Sequence, residues 1–211
     1  ALLLFVPLIH RHWHGRKAGW VISVQPGGRW RYLLICFVVA AMVLNIFMWL
    51  MRGGNMAWQA AQPDWVIYLA LILITSPLQA AVEEFFFRGY LQQAIGSLTG
   101  RAWVGIVCSA LVFALFHGDQ NTELFVHRLG FGLIAGTLVW ATGGLEAAIA
   151  VHVANNVFAF GYALFTGGVA ALKATSEISW EAACSDLMSF AVFGLVAWWI
   201  GRRMHVATLT P

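Results

Sequence analysis

The sequence predicts an all-α fold: a polytopic bundle of about six to seven transmembrane helices around a buried polar site. Three observations predict it. Of 211 residues, 61% are hydrophobic and only 10% charged, with a mean hydropathy of +0.77, whereas soluble domains carry about 25% charged residues. The apolar residues gather into runs near the roughly 20 residues that a bilayer crossing needs. The basic residues collect in alternate loops, the asymmetry that sets membrane orientation.

Runs between punctuating glycines, prolines and charges give spans at 32–51, 65–97, 101–117, 124–142, 145–165 and 187–203. The second is too long for one upright crossing. Pro77, which lacks a backbone donor and crowds the preceding turn, is expected to kink it. Ala1–Ile9 is apolar and precedes the charged stretch His10–Lys17, the reverse of a signal peptide's order. It reads as the tail of a transmembrane helix that starts earlier. No repeat, low-complexity tract or soluble domain interrupts the chain, so one membrane domain, 1–211, is expected.

Arg11, Arg16, Lys17, Arg29, Arg31, Arg101, Arg202 and Arg203 fall at loops that alternate with the acidic or neutral ones at 52–64, 118–123 and 166–186. The basic set is expected to be cytoplasmic, in a multi-pass protein of the cell membrane. Eleven tryptophans and fifteen phenylalanines suit interfacial belts and a membrane-lipid partner. A net charge of +3, without a basic run interleaved with aromatics, gives no nucleic-acid partner. Cys36, Cys108 and Cys184 are widely spaced and read as free thiols.

Against this background, Glu83 and Glu84 stand inside the apolar stretch Ala80–Arg88. A carboxylate near the bilayer centre costs roughly 2.5–3.5 kcal/mol, so two adjacent ones need a use. Further on, His117 and His152 with Asn156 lie in apolar runs. From Thr99, in the glycine-bearing turn after the second span, Glu83 is 16 residues back and His117 is 18 residues on. At about 1.5 Å per residue both lie roughly 24–27 Å from the turn, so an antiparallel hairpin brings them to similar height. Glu84 and Arg88 are four apart, glutamate first, the favourable order for an ion pair. Glu83 and Glu84 point about 100° apart, so one can face a cavity while Arg88 neutralises the other.

Each residue also has a blander reading. A lone histidine in an apolar helix usually packs or bonds a neighbouring helix. His10, His12 and His14 alternate, but nearby Arg11, Arg16 and Lys17 mark a solvated interfacial segment. His127 and Arg128 either line an entrance or snorkel to the interface. Gly132 and Gly136 form a small-xxx-small pair that permits close packing. Asn155 reads as structural, and Asn45 as a bond to another helix.

The ordered set Glu83-Glu84…Arg88, Phe113…His117 and His152…Asn156 resembles the motifs E-E-x-x-x-R, F-x-x-x-H and H-x-x-x-N of the CAAX protease and bacteriocin-processing family of intramembrane proteases. The glycine-rich stretch from Gly132 to Leu145 also looks like that family's lead-in to its last motif. The likeness covers 68–165, the motif-bearing core. It implies an intramembrane endopeptidase acting on a membrane-associated peptide or protein. In it Glu83 activates a water and His117 helps hold that water. His152 and Asn156 stabilise the oxyanion, while Glu84, Arg88 and Phe113 support the site. The chemistry is coherent: donors in a dry cavity stabilise developing negative charge, by roughly 2.7–4 kcal/mol each in measured cases.

No cofactor is favoured. The alternative is zinc on Glu83, His117 and His152 with a fourth position open to water, although the compact H-E-x-x-H spacing is absent. Two other classes compete. One is a non-catalytic subunit with the same fold in a larger membrane complex, against which the intact polar set argues. The other is a proton-coupled transporter, disfavoured by the lack of broken-helix repeats. The short form of the chain suggests a prokaryotic inner membrane.

Overall fold

Residues 12, 19–25, 28–52 and 56–209 are described by the computed structural model. Ala1–Ile9, His10 and His14 lie outside them. The described elements are α1 (Gly19–Ile22), α2 (Trp30–Arg52), α3 (Trp65–Glu84), a π-helical segment (Phe85–Leu91), α4 (Gln92–Thr99), α5 (Ala102–Leu115), α6 (Thr122–Thr142), α7 (Glu146–Ala163), α8 (Val169–Lys173) and α9 (Trp180–Arg203). Among the described residues there is no strand, only an isolated bridge between Ser23 and Gly144. Also among the described residues, four helices are long and apolar enough to cross a membrane: Trp30–Met51, Trp65–Thr99 (α3 through α4), Thr122–Thr142 and Trp180–Arg203.

α7 is at the centre, and α2 and α3 both pack on it. Each does so by a stripe of residues four apart: Tyr32, Cys36, Ala40 and Leu44 on α2, and Ile72, Ser76, Ala80 and Glu84 on α3. The opposite side of α2 exposes Leu34, Val38, Met42 and Ile46. In lipid, apolar contact alone gives helices little reason to associate, so close approach between small residues carries the packing. Ala147, Ala148, Ala150 and Ala154 supply it on α7. Nine of the 18 residues of α7 are buried, His152 among them.

α5 packs on α4 and α6, and α9 on α6 and α2. Glycine matters most on α5, where a Cβ at Gly105 would lie 2.3 Å from the Gln92 carbonyl oxygen. Gly132 likewise lets α6 reach α5: its Cβ would sit 2.8 Å from Ala110 Cβ. The expectation of close packing at Gly132 and Gly136 holds. Asn45 bonds a neighbouring helix as expected, accepting from the Tyr162 hydroxyl of α7.

At one end of the bundle Arg29 clamps three segments. Its guanidinium donates to both carboxylate oxygens of Glu146, Nε to Oε1 at 3.0 Å and Nη2 to Oε2 at 2.6 Å. Its Nη1 donates to the carbonyls of Thr142, at 2.7 Å, and Ala207, at 3.0 Å. At the other end Asn121 donates to Ile178 O, at 2.9 Å, and Gln62 N donates to Leu164 O, at 2.9 Å. The loops that the charge pattern sorted into two sets thus meet at opposite ends.

One irregularity and one correction stand out. The α-helix continues through Pro77, and a π-helical segment follows it at Phe85–Leu91. There the Phe87 carbonyl accepts from Gln92 N, five residues on, and from Ser109 Oγ at 2.7 Å. The second donor makes the wider turn affordable. The last helix starts at Trp180, not at 187. Glu181 and Asp186 look like loop residues in sequence. However, Ser179 caps the helix by accepting from Ala182 N at 3.2 Å, and an acidic residue in a first turn favours the helix dipole.

Candidate active site

The end of α3 and the π segment hold the acidic pair. Glu84, on the buried stripe, has no exposed side-chain surface and accepts from Arg88 Nη1 at 2.9 Å. Arg88 is buried within the π segment, and its guanidinium stacks over Phe113 at 4.5 Å and Phe131 at 5.7 Å from the ring centroids. Those ring faces help to solvate the cation where water is absent. Among the described residues, Arg88 Nε and Nη2 and Glu84 Oε2 have no hydrogen-bond partner.

His152 of α7 connects the two glutamates. Its Nδ1 lies 2.7 Å from Glu84 Oε1, and its Nε2 lies 3.6 Å from Glu83 Oε2. A carboxylate paired with a guanidinium only accepts, so the proton of the first contact belongs to Nδ1. That leaves Nε2 facing Glu83. Glu83 itself is partly exposed and accepts from Gln79 Nε2 at 3.0 Å, one turn back. Phe131 packs edgewise on His152 at a centroid distance of 5.0 Å and Phe113 at 6.1 Å.

The other two residues are placed differently. His117 sits in the turn after α5, exposed, with Nδ1 2.7 Å from the Phe113 carbonyl. A carbonyl cannot donate, so this nitrogen carries the proton and Nε2 is left as acceptor. No hydrogen bond joins His117 to Glu83 or His152, although all three lie within electrostatic reach of one another. Asn156, one turn after His152, accepts from Asn155 Nδ2 at 3.2 Å.

Glu83, Glu84, Arg88, His152 and Phe113 therefore form one contact group, with Asn156 and His117 at its edge. Among the described residues no group of three His, Cys, Asp or Glu side chains is arranged to hold a metal ion. Sequence reasoning missed Gln79, although its i, i+4 spacing to Glu83 was readable. It also missed Phe131, which has no local signal. His127 Nε2 lies 3.4 Å from Asp186 Oδ2 on α9. Arg128 donates to Gln120 Oε1 at 2.8 Å. Cys36, Cys108 and Cys184 are free thiols.

Residues 64–158 match the family model described as Rce1-like, Type II CAAX prenyl endopeptidase Rce1-like. The match includes all three motifs. Among curated proteins the chain is similar to the uncharacterized protein YyaK of Bacillus subtilis (strain 168), with 28% identity over 148 residues, 64% of this chain and 48% of that protein. The chain thus spans about half the length of the curated relative it matches. No solved structure matches.

Proposed function

We propose that this chain, Rce1-like across residues 64–158, is an intramembrane endopeptidase that cuts a membrane-associated peptide or protein with a glutamate-activated water. The observation that carries the proposal is the 3.6 Å approach of His152 Nε2 to Glu83 Oε2, in front of a fully buried Glu84–Arg88 pair. A water about 2.8 Å from each of those two atoms bridges them from the side. Glu83 takes its proton as the oxygen attacks the scissile carbonyl carbon. The C–N bond then breaks, and Glu83 returns the proton to the leaving amine. His117 Nε2, an acceptor, holds the same water.

The charge count assigns His152 its part. Glu83 and Glu84 bring two negative charges and Arg88 one positive, so a protonated His152 leaves the group neutral. In that form Nε2–H donates to the oxyanion, beside Asn156 Nδ2. Glu84 and Arg88 hold the imidazole and do not touch substrate.

In this reading α5 and α7 cross the bilayer with the four longer helices, giving six spans, with the Arg29 end cytoplasmic in a prokaryotic inner membrane. The polar site lies buried among them, within a core of residues 68–165. No cofactor takes part. Incubating the purified protein with candidate membrane peptides tests the reading, with Glu83→Gln and His117→Ala as controls. Cleavage by the wild type that both variants lose supports it; equal cleavage by all three overturns it.

A further inference from the structure

Gln79 is a polar side chain to which the proposed mechanism gives no part. It stands 14 residues after Trp65, the first residue of α3, roughly 21 Å along the helix, and it is exposed. Leu73, Ile74 and Leu78 near it are exposed too, as suits contact with lipid. An amide in such company is costly unless its donors are used. One of them is used: Nε2 donates to Glu83 Oε1 at 3.0 Å.

The partner settles which end of the amide faces it. A carboxylate only accepts, so the NH2 group points to Glu83. This contact occupies one carboxylate oxygen, while the other, Oε2, lies 3.6 Å from His152 Nε2. Together the two contacts fix the rotation of the carboxylate about its last side-chain bond, a torsion that is otherwise broad and nearly two-fold. They also make the two oxygens unequal. A proton on Oε1 would meet the N–H of Gln79, donor against donor, whereas Oε2 faces the water that bridges to His152. The blander reading is a helix-surface pair four residues apart, which adds a little stability and nothing else. It leaves unexplained why the acceptor of that pair is the same carboxylate that approaches His152.

We infer that Gln79 positions the general base: it holds Glu83 Oε1, so that Oε2 takes the proton of the water and returns it to the leaving amine. The inference rests on the protease reading and adds to it which oxygen carries the proton. The proton leaves the water for Oε2 as the new C–O bond forms. It passes from Oε2 to the amine nitrogen as the C–N bond breaks. Gln79 keeps its own protons throughout and does not touch substrate.

The test combines the kinetics of Gln79→Met, Glu83→Gln and the double variant with an infrared measurement that needs no cleavage. Gln79→Met keeps the length of the side chain and removes the donor. It should lower kcat about tenfold, with KM within about twofold and the melting temperature nearly unchanged. In the Glu83→Gln background the same substitution should change the residual single-turnover rate by less than about twofold, because its effect passes through the carboxylate. The carboxylate stretch of Glu83, assigned from the infrared difference between the wild type and Glu83→Gln, should move in Gln79→Met. A wild-type kcat in Gln79→Met, an unmoved carboxylate band, or the same loss persisting in the Glu83→Gln background would overturn the role of Gln79 and leave the protease reading standing. No cleavage by the wild type, or full cleavage by Glu83→Gln, would instead overturn the protease reading and this role with it.

Discussion

Arg88→Met removes a cation paired with a carboxylate that no solvent reaches. In the folded protein the Arg88–Glu84 contact is 2.9 Å with both side chains fully enclosed. Coulomb's law at that separation gives about 6 kcal/mol of attraction at an effective dielectric constant of about 20. Most of this offsets the desolvation of the two ions, so the gross figure is not the stability lost. What the variant loses is the compensation for a buried charge, about 3–5 kcal/mol. The cation's stacking over Phe113, at 4.5 Å, goes with it. Methionine fills much of the volume, so the loss is chiefly electrostatic. The double variant Glu84→Gln, Arg88→Met should recover about 2 kcal/mol or more, because replacing a whole buried pair by neutral groups is close to neutral. Unfolding in mild detergent, followed by circular dichroism, reads both. A single variant within about 1 kcal/mol of the wild type, or a double variant that sums the two single losses, would refute the reasoning.

Three other outcomes are expected. Arg29→Met should destabilise by about 3–5 kcal/mol, since it frees Glu146 and the carbonyls of Thr142 and Ala207; limited proteolysis should then cut near 204–209 before the helices. Gly105→Ala should cost about 1–3 kcal/mol by overpacking, because its Cβ would meet the Gln92 carbonyl at 2.3 Å, and a lowered melting temperature checks this. Peptide cleavage should survive rigorous metal removal; loss of activity restored by zinc would instead favour zinc on Glu83, His117 and His152.

The helices were legible because lipid-facing apolar runs leave a strong compositional trace, and because the alternation of basic loops matches the two ends at which loops gather. Irregularity was harder to read. Proline predicts a kink only through local sterics, whereas the π segment depends on Ser109, from another helix, reaching the Phe87 carbonyl. The Glu84–Arg88 pair was readable from its spacing on one helix. The contact of His152 with Glu84 was not, because which face of α7 meets α3 depends on packing of small residues along both helices. The Arg29–Glu146 clamp left a faint trace that went unused: opposite charges at the starts of two apolar runs, Trp30–Arg52 and Glu146–Ala163, expected at the same membrane face.

The division of labour between the adjacent glutamates is tested most directly by measuring kcat for peptide cleavage and the melting temperature together for Glu83→Gln and Glu84→Gln. Glu83→Gln should lose about 100-fold or more in kcat, as expected for a general base, with its melting temperature nearly unchanged. Glu84→Gln should melt markedly lower, because Arg88 is left buried without its counter-ion. Full activity in Glu83→Gln, or the same pair of losses in both variants, would contradict the assignment of the two carboxylates.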